Sequence, residues 1–217
     1  ILLISVVTLL LSGCNENNRK ADVVQEETTT KKMTREEIQA ASFSELYKQI
    51  DQTEIPGDVF TLVNKDYTVL TGGTPEHYNS MIASWGGWGT LFDRPTTWCF
   101  LRSNRYTLEL IRKDHMYTMS YFDDEYKDDI MPFGTQSGRE GQKMKDTKLT
   151  AVQTPAGSMA FKEAKLIIEC KLAAVTTVSA DDFLVEDGRR FVVDAHAETN
   201  DYHKIVFGEI TSVWVRK

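Results

Sequence analysis

The sequence predicts a mainly β protein, a closed antiparallel barrel carrying only a few short helices. Three observations lead there. Segments rich in Val, Ile, Leu, Tyr, Phe and Thr recur at short spacing, at residues 60–71, 78–84, 96–101, 116–122, 166–172, 191–193 and 205–215. The helical patterns between them are short. No regular alternation of strands with long amphipathic helices appears, which argues against a parallel α/β sheet.

The 217 residues, 41% of them hydrophobic, suffice for one sizeable core with a small addition. The formal net charge of −7 argues against nucleic acid as the main partner, because a duplex requires a basic face.

The N-terminus reads as an export signal. Residues 1–11 are apolar apart from Ser5 and Thr8. Such a run is too short for a transmembrane helix, which needs about 20 apolar residues. It has the length of the apolar part of a signal peptide, and the missing positive start places the first residue inside a precursor. Leu11-Ser12-Gly13-Cys14 resembles a bacterial lipobox, in which the cysteine becomes the lipidated first residue. The expectation is a signal peptide at 1–13, a lipid-modified Cys14 with a flexible polar tether at 14–33, and an exported protein anchored on a bacterial envelope membrane. Cys99 and Cys170 then remain. Both fall in apolar strand-like runs and read as buried free thiols, although export would permit a disulfide. No C-x-x-C redox pair is present.

A helical extension is expected at 34–58. Thr34 and Glu37 fit a capping box, Ile38, Ala41, Leu46 and Ile50 form a loose apolar stripe, and Pro56-Gly57 ends it. The barrel domain is placed at 59–217. Its first strand covers 60–71, with a hairpin turn at Asn64-Lys65-Asp66. The strand at 78–84 runs into Gly86, Gly87 and Gly89, which allow close backbone approach. Residues 96–101 are too apolar for a half-exposed strand. A helix spans Tyr106–Asp114, residues 123–129 are an acidic surface segment, and 133–139 form a polar loop leading to a short helix that ends near Asp146. In 166–172, Leu166, Ile168, Cys170 and Leu172 alternate with Lys171 and Glu169, a half-buried pattern.

The chemistry concentrates between Asn79 and Thr107. The stretch R-S-N-R-Y-T follows an apolar strand and opens a helix, so free backbone N–H groups and the helix dipole favour an anion there. Arg102 and Arg105 can add forked, charge-assisted hydrogen bonds to a phosphate. Asn79, Ser80 and Ser84 place polar atoms near Trp85. The stretch suits a flat, hydrogen-bonding ligand that carries a phosphate. Elsewhere, Asp194, His196 and Glu198 would share one face if they lay in a strand. A metal site and a solvated strand face both fit, and the solvated face is the simpler reading. No nucleophile elbow, Walker loop or dinucleotide fingerprint occurs.

N-S-M-I-A-S-W-G-G-W-G, then T-T-W-C-F-L-R-S-N-R-Y-T-L-E-L-I, then F-G-T-Q-S-G-R-E-G-Q-K together resemble the flavin reductase-like, FMN-binding split-barrel family, in its flavoredoxin-like branch. The resemblance runs from about residue 60 to the C-terminus. It implies a six-stranded Greek-key barrel and a homodimer with FMN near the subunit interface. It implies that Asn79, Ser80, Met81, Ala83, Ser84 and Trp85 lie along the isoalloxazine ring, with Ile82 where relatives often carry Thr. Arg102, Ser103, Asn104, Arg105 and Thr107 would hold the phosphate and ribityl chain, Phe133 and Ser137 would belong to a loop near the flavin, Lys143 could reach the phosphate, and His203 could flank the ring. The implied activity is hydride transfer from NAD(P)H to flavin N5, with no protein acid, base or nucleophile required. Export argues for an alternative, a flavoprotein reduced by a partner protein. A third possibility is a non-enzymatic lipoprotein that holds another cofactor.

Overall fold

A computed structural model describes residues 32–140, 143–197 and 201–217. The expected signal peptide, Cys14 and nearly all of the tether lie outside the described residues, as does Glu198.

The N-terminal extension is shorter in its helices than the sequence predicts. Thr34 and Glu37 do form a capping box, but the helix they start, α1, ends after one and a half turns (Arg35–Ala40). Ser42 then caps a second short helix, α2 (Phe43–Leu46), through a capping box of its own with Glu45. Ser42 in mid-pattern competes for backbone N–H groups and breaks the expected long helix. Strand β1 (Tyr47–Ile50) follows, paired antiparallel with the last strand of the chain. Residues 60–64, expected in a strand, are helical instead. Asp58 accepts from the Thr61 N–H and starts α3 (Val59–Asn64), which buries Leu62 and Val63.

The strands that follow are β2 (Thr68–Thr74), β3 (His77–Ala83), β4 (Gly86–Leu91), β5 (Arg94–Leu101), β6 (Met116–Tyr121), β9 (Leu166–Thr177) and β10 (Lys204–Arg216), with a small hairpin, β7 (Ala151–Gln153) and β8 (Met159–Phe161), apart from them. β3 and β4 are successive parts of one bent path. β3 pairs with β2, and β4 pairs with β5. At the bend the Phe100 N–H donates to the Trp85 carbonyl at 3.3 Å, which joins the two ends of the sheet. The result is a closed antiparallel barrel with staves in the order β2, β6, β9, β10, β5 and β3–β4. β6, β9 and β10 are sequential neighbours while the earlier β5 lies beside β10, which is a Greek-key arrangement. The β4–β5 hairpin turns through Phe92 and Asp93, both at positive φ (49° and 59°), as a two-residue primed turn requires.

Every stave contributes to the barrel core, among them Leu70, Ala83, Leu101, Tyr117, Met119, Ile168, Cys170 and Val206. Helix α4 (Tyr106–Asp114) adds Leu108 and Ile111. Cys99 and Cys170 are buried free thiols, and burial pushes both upward in pKa, Cys170 to about 12. A second core lies on the outer face of β2 and β9. It gathers Val69, Phe122, Ile130, Phe133, Phe161 and Ile167 with Ile38, Leu46 and Tyr47 from the extension. This layer explains why residues Leu166 to Cys170 are buried on both faces rather than half-buried. Even Glu169 is enclosed, its Oε1 accepting from Thr154 Oγ1 at 2.6 Å.

Two segments differ from expectation in ways that matter for function. Helix α5 (Lys127–Thr135) takes in Phe133, so the polar loop starts at Gln136 and leads to α6 (Lys143–Asp146). Between β9 and β10 the chain makes a long excursion containing α7 (Glu186–His196). Phe191–Val193, expected in a strand, is part of this helix, and Asp194 and His196 therefore do not share a strand face.

Gly86 sits at the barrel-closing bend with φ +151°, and a Cβ there would lie 2.2 Å from the Trp98 carbonyl oxygen. Backbone cannot yield as a side-chain tip can. Gly86→Ala is expected to lower unfolding free energy by about 2 kcal/mol or more in urea titration. Unchanged stability would show that the bend is not under this constraint.

Candidate functional site

The barrel-closing bend, the start of α4 and the loop after α5 surround one cleft of about 590 Å³. Its volume falls within the range of small-molecule sites. β3 supplies Asn79, Met81 and Ala83, and the bend supplies Ser84 and Trp85. The turn after β5 supplies Arg102, Asn104 and Arg105, with Thr107 from the first turn of α4. Phe133 and Ser137 close the opposite side, together with Lys143. Segments far apart in sequence, some singled out by residue type and the others by the family resemblance, thus meet in one place.

Two of the sequence-selected residues lie outside that lining. Ser80 is fully buried between β2 and the outer layer and bonds Thr71 Oγ1 through its hydroxyl at 2.8 Å. Strand alternation turns it away from Asn79 and Met81. Ser103 donates to the Asp201 carboxylate, and that bond directs it toward the excursion rather than the cleft.

The lining of the cleft is cationic, with Arg102, Arg105, Arg139 and Lys143 in it. Arg105 is the N-cap of α4 and makes no side-chain capping bond. Its guanidinium is exposed and has no hydrogen-bond or ion-pair partner among the described residues. The first N–H groups of α4 face outward uncapped, a favourable seat for an anion. Lys143 is only 3% exposed, and among the described residues its ammonium donates only to two carbonyls, of Gln136 at 3.2 Å and Phe133 at 3.4 Å. Burial and the nearby Arg105 lower its pKa to about 8. A buried cation beside another cation, with no carboxylate paired to it among the described residues, costs free energy that an anionic ligand would offset. Arg102 is partly committed, since Nη2 donates to the Ala195 carbonyl at the end of α7 at 3.0 Å.

The opposite wall offers orientation. Asn79 is buried, donates from Nδ2 to Thr107 Oγ1 at 2.7 Å, and leaves Oδ1 without a partner. Gly138 lies against it so closely that a Cβ would fall 2.2 Å from Oδ1. The loop is strapped to α4 by Arg139, which pairs with Glu109, donates to the Asn104 carbonyl at 3.2 Å and lies over the Tyr106 ring. Phe133 stacks on Phe161 at 5.4 Å, anchoring this side in the outer core.

His203 completes the rim, 5.1 Å from Trp85 between ring centroids. Its Nδ1 lies 2.6 Å from His196 Nε2, and His196 Nδ1 lies 2.6 Å from the Val192 carbonyl. A carbonyl only accepts, so His196 Nδ1 carries a proton. Its Nε2 then accepts from His203 Nδ1–H in the neutral pair. Burial, His196 and the two arginines lower the pKa of His203 to about 4, so it is neutral at pH 7 with a lone pair on Nε2. Sequence reasoning missed this pair because His196 was placed in a strand. It missed Phe100 because a strand residue at the bend carries no motif of its own.

These elements match a family already suggested by their residues. The model of the flavin reductase like domain matches residues 61–217, and the chain belongs to that family. Among solved structures, the FMN-binding domain of a flavin reductases-like enzyme from Shewanella baltica OS155 superposes with TM-score 0.54 at 14% identity, covering 78% of this chain and 76% of that one. Flavoredoxin of Desulfovibrio vulgaris (Miyazaki F) gives TM-score 0.53 at 19% identity over 76% of each chain. Flavoredoxin from Methanosarcina acetivorans gives 0.51 at 15% identity, again over 76% of each. At these identities the superpositions establish a shared fold. No curated protein matches the chain.

The Lys143 environment has a measurable consequence. Its pKa falls from 10.5 unfolded to about 8 folded, so the unfolded chain binds more protons between those values. Stability of the ligand-free protein should therefore rise by about 2 kcal/mol as pH increases through that window. Lys143→Met should remove this rise in urea titrations at pH 7.5 and 10. A slope that survives the substitution would assign it to another group.

Proposed function

We propose that the cleft binds FMN and that the protein is a flavin reductase-like oxidoreductase. One observation supports this above the others. Two cations, Arg105 and buried Lys143, lack anionic partners among the described residues beside an uncapped helix start, and a polar and aromatic wall stands across from them. The residues fit the cofactor: the phosphate belongs at Arg105, Lys143 and the first N–H groups of α4, and the ring belongs along Met81, Ala83, Ser84 and Trp85. The unpartnered Asn79 Oδ1 is an acceptor for an N–H or O–H of the ligand. When bound, flavin supplies the capacity to accept and release a hydride.

The chain's own contribution is orientation and electrostatics. Arg105 and Lys143 fix the charged end by charge-assisted hydrogen bonds. Asn79 is held by Thr107 through its amide nitrogen, which fixes the side chain at the edge of the cleft. Trp85 and Phe133 exclude water from the apolar faces of the ligand. His203, neutral at physiological pH, adds no charge that would compete with a cationic nicotinamide product. The proposed donor is NAD(P)H. The rival is reduction by a partner protein, which an exported location would favour.

The experiment is anaerobic addition of NADH or NADPH to the FMN-loaded protein while the visible flavin absorbance is followed. Bleaching within the mixing time of a catalytic turnover supports the reductase. Retained colour with both nucleotides, but bleaching by dithionite, would assign the partner-reduced role. Arg105→Ala is expected to weaken FMN binding by about 1.5–3 kcal/mol, read as a larger dissociation constant by fluorescence titration. An unchanged constant would remove Arg105 from the site.

The reading extends to assembly and location. Phe60, Phe92 and Leu184 expose large apolar side chains, Leu184 at 99% and Phe92 at 90%, and a second copy of the chain in a homodimer would cover such surface. The lipobox-like Leu11-Ser12-Gly13-Cys14 supports lipid anchoring on the cell envelope. Cys14→Ser should shift the protein from the membrane fraction to the soluble one, and continued sedimentation with membranes would contradict lipidation.

A further inference from the structure

A second cavity, of about 320 Å³, adjoins the cleft and shares Trp85, Phe100 and His203 with it. Its remaining wall comes from the excursion between β9 and β10, chiefly Phe183, Gly188, Phe191 and Val192. The wall is made of rings. Trp85 meets Phe191 edge-on at 5.8 Å and His203 at 5.1 Å, and His203 meets His196 at 4.8 Å. No lysine, arginine, aspartate or glutamate lines it among the described residues.

We propose that this annex is a binding site for an uncharged, flat ring compound of the quinone class, seated beside the flavin cleft. Aromatic walls favour flat rings over branched or chain-like ligands through offset and edge-to-face contacts. The volume lies at the small end of ligand sites and suits one or two fused rings rather than a nucleotide. The absence of cations argues further against a phosphate-bearing ligand, because the positive groups lie in the neighbouring cleft at Arg105 and Lys143. His203 is the polar exception. With Nδ1–H donated to His196, its Nε2 can accept from the O–H of the reduced, hydroquinone form, while the quinone form, which has no O–H, is held by the rings alone. The sequence alone gave no sign of this cavity, because Phe183, Phe191 and Val192 lie in a segment whose helix it did not predict. As the seat of an electron acceptor the annex rests on the flavin reading; as a binding site it stands without it.

The test titrates the flavin-free full-length protein with 2-methyl-1,4-naphthoquinone by calorimetry, and with FMN in parallel. Saturable one-to-one quinone binding is expected. Gly188→Leu places a side chain against Phe183, where even a Cβ would lie 3.2 Å from the ring, and should weaken quinone binding by about tenfold or more while FMN binding stays within about twofold. Should that variant fail to fold, Val192→Trp fills the same cavity from the next turn of the same helix face and carries the same expectation. FMN uptake without quinone binding overturns the annex and leaves the flavin reading intact. Quinone binding without FMN uptake supports the annex and contradicts the flavin reading. Quinone binding unaffected by either filled variant would place the ligand elsewhere and overturn the proposal.

Discussion

The hydrogen bond from the Phe100 N–H to the Trp85 carbonyl is the point on which the rest of the molecule turns. Without it, β3 and β4 would be the two edges of an open, twisted sheet, each with unpaired backbone groups. With it, the path bends at Ser84–Gly86 and the barrel closes. The same bend presents Ser84 and Trp85 to the cleft and brings β3 next to the turn after β5. The glycine that permits the bend and the tryptophan that lines the site are adjacent because one backbone event produces both barrel and binding wall.

The second constraint is electrostatic. Buried polar groups in a folded chain are ordinarily paired: inside the barrel Tyr117 bonds Thr97 at 3.1 Å, and in the outer core Tyr47 donates near three carbonyls at 2.8–3.1 Å. The cleft departs from that rule at Lys143 and Asn79. Both depend on neighbouring structure to hold them in place, Lys143 on the carbonyls at the end of α5 and Asn79 on Thr107 and Gly138. Such groups persist at a cost to stability, and a ligand that is anionic at one end and hydrogen-bonding along its edge relieves both.

Much of this was legible in the sequence, for physical reasons that differ by residue. The β3 strand and α4 were readable because apolar periodicity and a polar helix start are local signals. Arg102 and Arg105 were readable because cations before a helix N-terminus suit an anion, whereas Asn104 and Thr107 came with the family resemblance. Ser80 and Ser103 were selected by type and then directed elsewhere by tertiary contacts, with Thr71 and Asp201, that no local pattern encodes. The long helix expected at the N-terminus failed at Ser42, where a second capping box outweighed the apolar stripe. The helix at Glu186–His196 was hidden because Phe191-Val192-Val193 has strand-like composition, and with it went the His196–His203 pair and the second cavity.

The central claim is that the cleft recognises a flavin through its phosphate. The measurement that tests it most directly is the ratio of dissociation constants for riboflavin and FMN on the flavin-free protein. Charge-assisted bonds from Arg105 and Lys143 predict that FMN binds about 10- to 100-fold more tightly. Equal affinity for the two, or no affinity for either, would contradict the account and reduce the cleft to a shared feature of the fold.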